Sequence, residues 1–300
     1  MNVVECKGLQ KKYGRKTALK EVSFILQKDK ITGLIGRNGA GKTTLLKIIA
    51  GYIKESSGDI RVFEEKPFNN LKVSANMIFI DDEMNLPPTM NLEEILQTAE
   101  DFYPNWDREL ARRLFDYFSF KPYQYHNGLS KGMRSTFNMI LGLAARTPLT
   151  IFDEPTTGMD AGVRKDFYRA LLKDYLAHPR TIILSSHLLN EIEDILEDIL
   201  LIKDGEKFLH LPVEELREYA IGVKGKDSVM QEWLKDKEVI HESSQEIAGT
   251  YAVVRHDFPV REIETARRAG LEFSPISADE ICTLLTTRTK GGIDDVFNRG

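Results

Sequence analysis

The chain has 300 residues, of which 42% are hydrophobic and 29% charged, with a net charge of -5. That is room for one sizeable α/β domain and a smaller one, and the acidic balance argues against nucleic acid or anionic lipid as a general partner. The N-terminal stretch MNVVECKGLQKKYG lacks the basic flank and apolar core of a signal peptide. No apolar run approaches the ~18–20 residues that span a bilayer, and Cys6 and Cys282 stand alone, so neither a disulfide framework nor a metal cluster is indicated. The expectation is a cytoplasmic protein.

In chain order, residues 1–27 alternate apolar and polar positions, which predicts half-buried antiparallel strands. The apolar segment ITGLIG (31–36) predicts a strand running into a glycine-rich loop and the helix KTTLLKIIAGYI. Strand signals continue over 60–80 and include MIFI (77–80). Residues 91–145 are mostly helical, with Leu92, Ile95, Leu96, Ala99 and Phe102 on one face as a core stripe. Pro104 breaks that helix and DRELARRLFDYF starts another. LTIFDE (149–154) and TIILSSH (181–187) read as buried strands separated by the helix RKDFYRALLKDYL, an order that implies a parallel sheet. Beyond ILLIKDGEKFLHLP the pattern changes. Strands at 219–224, 238–245, 250–256 and 271–276 and helices at 226–236, 259–269 and 278–286 give a βαββαβ order with an extra helix, the ferredoxin-like pattern. Val229, Trp233, Ile263 and Ala266 are its expected buried stripe.

The chemistry begins at GRNGAGKTT (36–44), which fits G-x-x-x-x-G-K-[ST] in a strand–loop–helix setting. Gly36, Arg37, Asn38, Gly39, Ala40 and Gly41 bring backbone N–H groups to phosphate oxygens, and the helix end adds positive partial charge. Lys42 is expected to reach the β- and γ-phosphates, and the Thr43 hydroxyl to bind Mg²⁺, with Thr44 completing the loop. Asp153, ending a buried strand, suits Mg²⁺ through its water shell. Glu154 can polarise a water in line with the γ-phosphate. His187 ends the strand LSSH and is either structural or a γ-phosphate sensor.

With these motifs in this order, residues 1–211 resemble the ATP-binding cassette (ABC) ATPases, specifically the ATP-binding subunit of a bacterial exporter. The resemblance implies an α/β P-loop NTPase core with antiparallel β and α-helical subdomains, the helical part near 89–145; the small C-terminal α+β domain expected at 219–300 rests on its own strand and helix order. It implies ATP and Mg²⁺ as cofactors and ATP hydrolysis as the activity. Tyr13 matches the aromatic that stacks on adenine, and TTGMD matches the D-loop through Asp160. LSKGM takes the place of the family signature LSGGQ. In this family two cassettes pack head to tail, so Ser130 and Gly132 would serve an ATP held by the other copy, whether that is the same chain or a paralogue. The other implied partner is a transmembrane subunit, which would hold the chain on the inner face of the cell membrane. The helical region near 82–125, with its aromatic-rich stretch at 100–120, is a candidate surface for it.

Two positions depart from the family pattern: Lys131 replaces a signature glycine, and Asp82 stands where the Q-loop has glutamine. Asp82 is either a solvated acid or a carboxylate that approaches the metal through water. FYPNWD (102–107), LSKGM and the C-terminal extension resemble a group of bacterial subunits that includes YtrB-type transporters and exporters of antimicrobial or cytolytic peptides. The alternative is a soluble ABC ATPase with a regulatory role. The segment 219–300 has more acidic than basic residues and no ligand-spaced His or Cys, which leaves dimer contact or regulation as its expected role.

Overall fold

The computed structural model describes residues 1–245 and 249–287 and divides the chain into two compact units, Met1–Pro212 and Val213–Gly300. The expected second domain was placed at 219–300; its residues 246–248 and 288–300 lie outside the described ones.

In the first unit the elements are β1 (Asn2–Tyr13), β2 (Lys16–Gln27), β3 (Ile31–Ile35), α1 (Lys42–Ile49), β4 (Ser57–Val62), α2 (Leu71–Ala75), β5 (Met77–Ile80), α3 (Leu92–Phe102), α4 (Arg108–Tyr117), α5 (Lys131–Ala144), β6 (Leu149–Asp153), α6 (Ala161–Ala177), β7 (Thr181–Ser186), β8 (Asp198–Lys203) and β9 (Glu206–Pro212). The alternating segments at the start form an antiparallel sheet of order β2-β1-β4. One face of it buries Val4, Cys6 and Leu9 with Leu19, Val22 and Phe24. The continuous apolar strands form a second sheet of order β5-β6-β7-β3-β8-β9, parallel except for β9. Strands buried on both faces read as unbroken apolar runs, as ITGLI, LTIFD and TIILSS do. Helix α1 lies in the core that joins the sheets, where Leu45, Leu46 and Ile48 meet Leu19, Ile151 and Ile183. The parallel topology brings the ends of β5, β6, β7 and β3 to the same edge of the sheet, where α/β folds bind ligands.

The helical segment is built around α5, whose buried residues run unbroken from Ser135 to Ala144; most are apolar, and the polar Ser135, Thr136 and Asn138 each donate to a backbone carbonyl. Asn91 and Glu94 form a capping box that starts α3. Leu92, Ile95 and Leu96 are buried, but Ala99 is only half-buried and Phe102 is 63% exposed. The predicted stripe therefore stops one turn early. Phe102 sits in the last helical turn before Pro104 and meets the Tyr103 ring edge to face, with ring centroids 5.0 Å apart. A charge cluster, buried at Asp174 and Arg180 and half-buried at Arg146 and Asp107, ties this segment to the sheet. Arg146 reaches Asp107, the N-cap of α4, at 2.7 Å and Asp174 of α6 at 2.9 Å, while Arg180 reaches Asp174 at 2.7 Å.

The second unit contains α7 (Val213–Arg217), β10 (Ala220–Gly225), α8 (Asp227–Leu234), β11 (Val239–Gln245), β12 (Gly249–Arg255), α9 (Val260–Arg268), β13 (Glu272–Pro275) and α10 (Ala278–Thr286). Its sheet has the order β11-β12-β10-β13, with every neighbouring pair antiparallel. Numbered within the unit this is 2-3-1-4, in which the third strand is inserted between the first two. Met230, not Val229 or Trp233, is the fully buried residue of α8. Val229 and Trp233 are partly buried beside Val223, Ala252 and Ala266, and Ile263 is half-buried. Trp233 is turned toward the aromatic pair Phe258 and Phe273, at centroid distances of 5.4 and 5.5 Å.

Candidate active site

The turn between β3 and α1 is shaped for close backbone approach. Gly41 has φ 111°, and a Cβ there would lie 2.8 Å from the Ala18 carbonyl oxygen, so no other residue fits without strain. Gly36, Gly39 and the exposed Arg37 and Asn38 complete the loop, and Ala40 is buried beneath it. Lys42 opens α1 with a side chain that turns back into the loop: it is 5% exposed and donates to the Gly36 carbonyl at 2.7 Å. Thr43 follows, and its hydroxyl lies on the Asp153 side of the site, where it lowers that acid's pKa. Thr44 is half-buried, and Tyr13 ends β1 with a ring 48% exposed and Lys11 Nζ 5.0 Å above it.

The acids stand at the end of β6. Asp153 is 4% exposed and accepts from the Ser185 hydroxyl at 2.6 Å. Burial raises its pKa against the opposing effect of the Ser185 hydrogen bond and the Thr43 hydroxyl. Glu154 has φ 47°, a left-handed backbone that turns its carboxylate away from the strand. Its N–H donates to the same Ser185 oxygen at 2.9 Å. Glu154 Oε2 is 2.8 Å from His187 Nδ1, and Oε1 is 3.1 Å from Lys42 Nζ. That second oxygen is buried and lacks a hydrogen bond of ordinary geometry. The four side chains Lys42, Glu154, His187 and Asp153, with Thr43, thus form one linked group drawn from three parallel strand ends.

The turn before α5 joins a second group. Ser130 is exposed and caps the helix by accepting from the Met133 N–H at 3.3 Å. Gly132 presses against the loop after Glu154, where an added Cβ would come within 2.3 Å of the Gly158 carbonyl oxygen. Ser135 donates to the Thr157 carbonyl at 2.8 Å, and Asp160 caps α6 by accepting from the Val163 N–H at 2.9 Å. Asp82 points to this group: its carboxylate is 3.0 Å from Lys131 Nζ. The preceding residue, Asp81, is the acid whose pKa is raised by burial and by the charge of Asp153.

Sequence reasoning did not single out Ser185 or Asp81. Ser185 was visible as the first serine of LSSH, and the parallel register that sets Asp153 opposite Ser185 gives it its role. Arg164 was also missed; it bridges Glu191, just beyond His187, and the Met159 carbonyl in the D-loop region.

The family model for ABC transporter matches residues 19–157. The chain is 30% identical over 211 residues to the ABC transporter ATP-binding protein NatA of Bacillus subtilis (strain 168), a match covering 67% of this chain and 84% of that protein. This chain belongs to the ABC transporter ATP-binding proteins. The cassette is also 28% identical over 222 residues to the ABC transporter ATP-binding protein YtrB of the same organism, covering 74% of this chain and 76% of YtrB. The SkfA peptide export ATP-binding protein SkfE, again from that organism, is 26% identical over 78% of this chain and 99% of its own length. Among solved structures, an ATP-binding subunit of an ABC transporter aligns with TM-score 0.64 and 24% identity, over 72% of this chain and 92% of that one. A dimeric post-hydrolysis cassette, MJ0796 bound to ADP and Pi, aligns with TM-score 0.60 and 23% identity, over 70% and 98%. These structures share its fold. As a member of this family the cassette is an ATP-binding ATPase subunit. Among the described residues no helix is long and apolar enough to cross a membrane.

Proposed function

We propose that this cassette hydrolyses ATP with Glu154 positioning the attacking water, and that the cycle drives a separate transmembrane subunit of an exporter. The observation that carries the reading is the placement of Glu154 between Lys42 at 3.1 Å and His187 at 2.8 Å, with one carboxylate oxygen left without an ordinary hydrogen bond. Lys42 is pre-bent into the phosphate loop, so an incoming γ-phosphate takes its ammonium and frees Glu154 Oε1 to accept from water. His187 holds the other oxygen and fixes the carboxylate's direction. Thr43 and Asp153 offer a hydroxyl and a carboxylate that influence one another, an oxygen donor set suited to Mg²⁺, which keeps several waters and phosphate ligands. That ion would neutralise charge on the β- and γ-phosphates.

Ser130 and Gly132 belong, in this reading, to the ATP of a second cassette, since the helix end and exposed hydroxyl face outward. The export assignment rests on the names of relatives, the peptide export protein SkfE and a Nod factor export protein of Ralstonia nicotianae that is 27% identical. The transmembrane partner would dock on the helical segment. There a groove of about 350 Å³ between α3 and α4 is lined by Leu96, Trp106 and Ala111 with a charged rim of Glu93, Glu100 and Arg112. Amphipathic grooves of this kind accept a short helix, and its docking would hold the cassette at the cytoplasmic face of the membrane. The second unit is assigned to cassette pairing or regulation.

The test is Glu154→Gln, which keeps the side-chain size and removes the base. Turnover is expected to fall by about 10²–10⁴-fold with ATP binding retained, while Lys42→Ala loses nucleotide affinity. Unchanged turnover in Glu154→Gln would refute the assignment.

A further inference from the structure

The two positions that depart from the family pattern meet in space. Lys131 and Asp82 are 49 residues apart, and their charged groups are 3.0 Å apart. Lys131 is the first residue of α5, directly after the cap Ser130, and the first turn of α5 contains no acid of its own. A lysine at that end of a helix is opposed by the positive end of the helix dipole, whereas a carboxylate there is favoured. Asp82 supplies the missing anion from another element and satisfies both the ammonium and the helix end.

The loop that carries Asp82 follows β5, the neighbour of the strand that ends in Asp153. It holds α5 at a second point as well, because Asn138 Nδ2 donates to the Asp81 carbonyl at 3.3 Å, two turns along the helix from Lys131. On its other side the turn leans on the loop after Glu154 through Gly132 and through Ser135. The turn 129–133 is therefore held between two loops that leave adjacent strands, and the Lys131–Asp82 pair is the only charged tie among the contacts described for it.

We infer that Lys131 and Asp82 are a positioning pair, in which the charge at each position serves the other by fixing where the turn bearing Ser130 stands. This rests on the reading of that turn as the one that serves ATP. With side chains 53% and 39% exposed, the pair is of the weak, salt-screened kind, contributing up to about fivefold in an equilibrium. That strength orients a turn and still lets it move during a cycle. It also means that each substitution alone is a mismatch, because Lys131 without Asp82 faces the helix dipole unneutralised.

The experiment is a double-mutant cycle on the full chain, reading steady-state turnover with Mg·ATP and the affinity for a fluorescent ATP analogue. The variants are Lys131→Ala, Asp82→Ala, the two combined, and the exchange of Lys131→Asp with Asp82→Lys. Each single change is expected to lower kcat about three- to fivefold, with KM, analogue affinity and melting temperature unchanged. The combined variant falls no further than either alone, and the exchange recovers most of the loss at low salt. Single effects that multiply in the combined variant, or two single variants that turn over like the parent, overturn the inference. Glu154→Gln measured alongside separates the two readings. If it abolishes turnover while the cycle is additive, the pairing alone is wrong; if it leaves turnover intact, the hydrolytic reading falls and takes the pairing with it.

Discussion

Gly132→Ala tests how tightly the turn before α5 is placed. An ideal Cβ at this position stands 2.3 Å from the Gly158 carbonyl oxygen and 3.1 Å from its carbon, and both partners are backbone. Real Cβ atoms essentially never stand closer than 3.0 Å and ordinary contact begins at 3.4 Å, so the turn and the loop must separate by roughly 0.7–1.1 Å. Alanine would otherwise favour a helix by about 1 kcal/mol over glycine, so any loss reflects the displacement and not helix propensity. Ser130 lies two residues ahead and moves with the turn. A misplacement of about 1 Å in a group that orients the reaction costs on the order of 10²-fold in rate. The assay is ATP turnover across a range of protein concentrations, paired with nucleotide affinity, which depends on Lys42 and should not change. Gly128→Ala is the control, since a Cβ there meets nothing within 4 Å. Turnover of Gly132→Ala within about threefold of the parent, or an equal loss in Gly128→Ala, would refute the reasoning.

Asp153→Asn should raise the melting temperature of the nucleotide-free chain at pH 7.5 while abolishing turnover. Burial raises the folded-state pKa of Asp153, so its favourable contribution is present below the unfolded value of 3.8 and is lost as pH rises through the folded value. The variant's advantage, about 2–4 °C for each ~1 kcal/mol, should therefore shrink as pH falls toward the acid range in a thermal-shift series. A lower melting temperature at pH 7.5 contradicts it. Asp174→Asn should do the opposite. It leaves Arg146 and the 5%-exposed Arg180 without their shared anion, at a cost of about 3–5 kcal/mol. Urea unfolding measures this, and a loss below about 1 kcal/mol would contradict it.

The meeting of Lys42, Thr43, Asp153, Glu154 and His187 was readable from sequence because each part is local. GRNGAGKTT carries its own turn and helix start, and Asp153, Glu154 and His187 each end an apolar strand. Parallel pairing then brings those strand ends together without any further signal. Ser185 needed more, since its two hydrogen bonds depend on which residue of β7 faces Asp153. Lys131 and Asp82 were each visible as departures, but composition and periodicity contain no term for a contact across 49 residues. The stripe of α3 was right in phase and wrong in extent. Phe102 fell outside because Pro104 ends α3 there. In α8, periodicity could not tell Val229 from its neighbour Met230, because what is buried depends on where the sheet lies.

The cluster around Asp174 gives α5 two unequal fastenings. Its C-terminal end adjoins Arg146, and the backbone there accepts from the Asp107 N–H at 2.8 Å, so the end sits in a knot of buried and half-buried charge. Its N-terminal end is held by an exposed ion pair and by close packing against Gly158. A helix of 14 residues is about 21 Å long at 1.5 Å per residue. At that length the turn that bears Ser130 is sensitive to the helix's direction: a tilt of about 3° at the C-terminal end would carry Ser130 through roughly 1 Å.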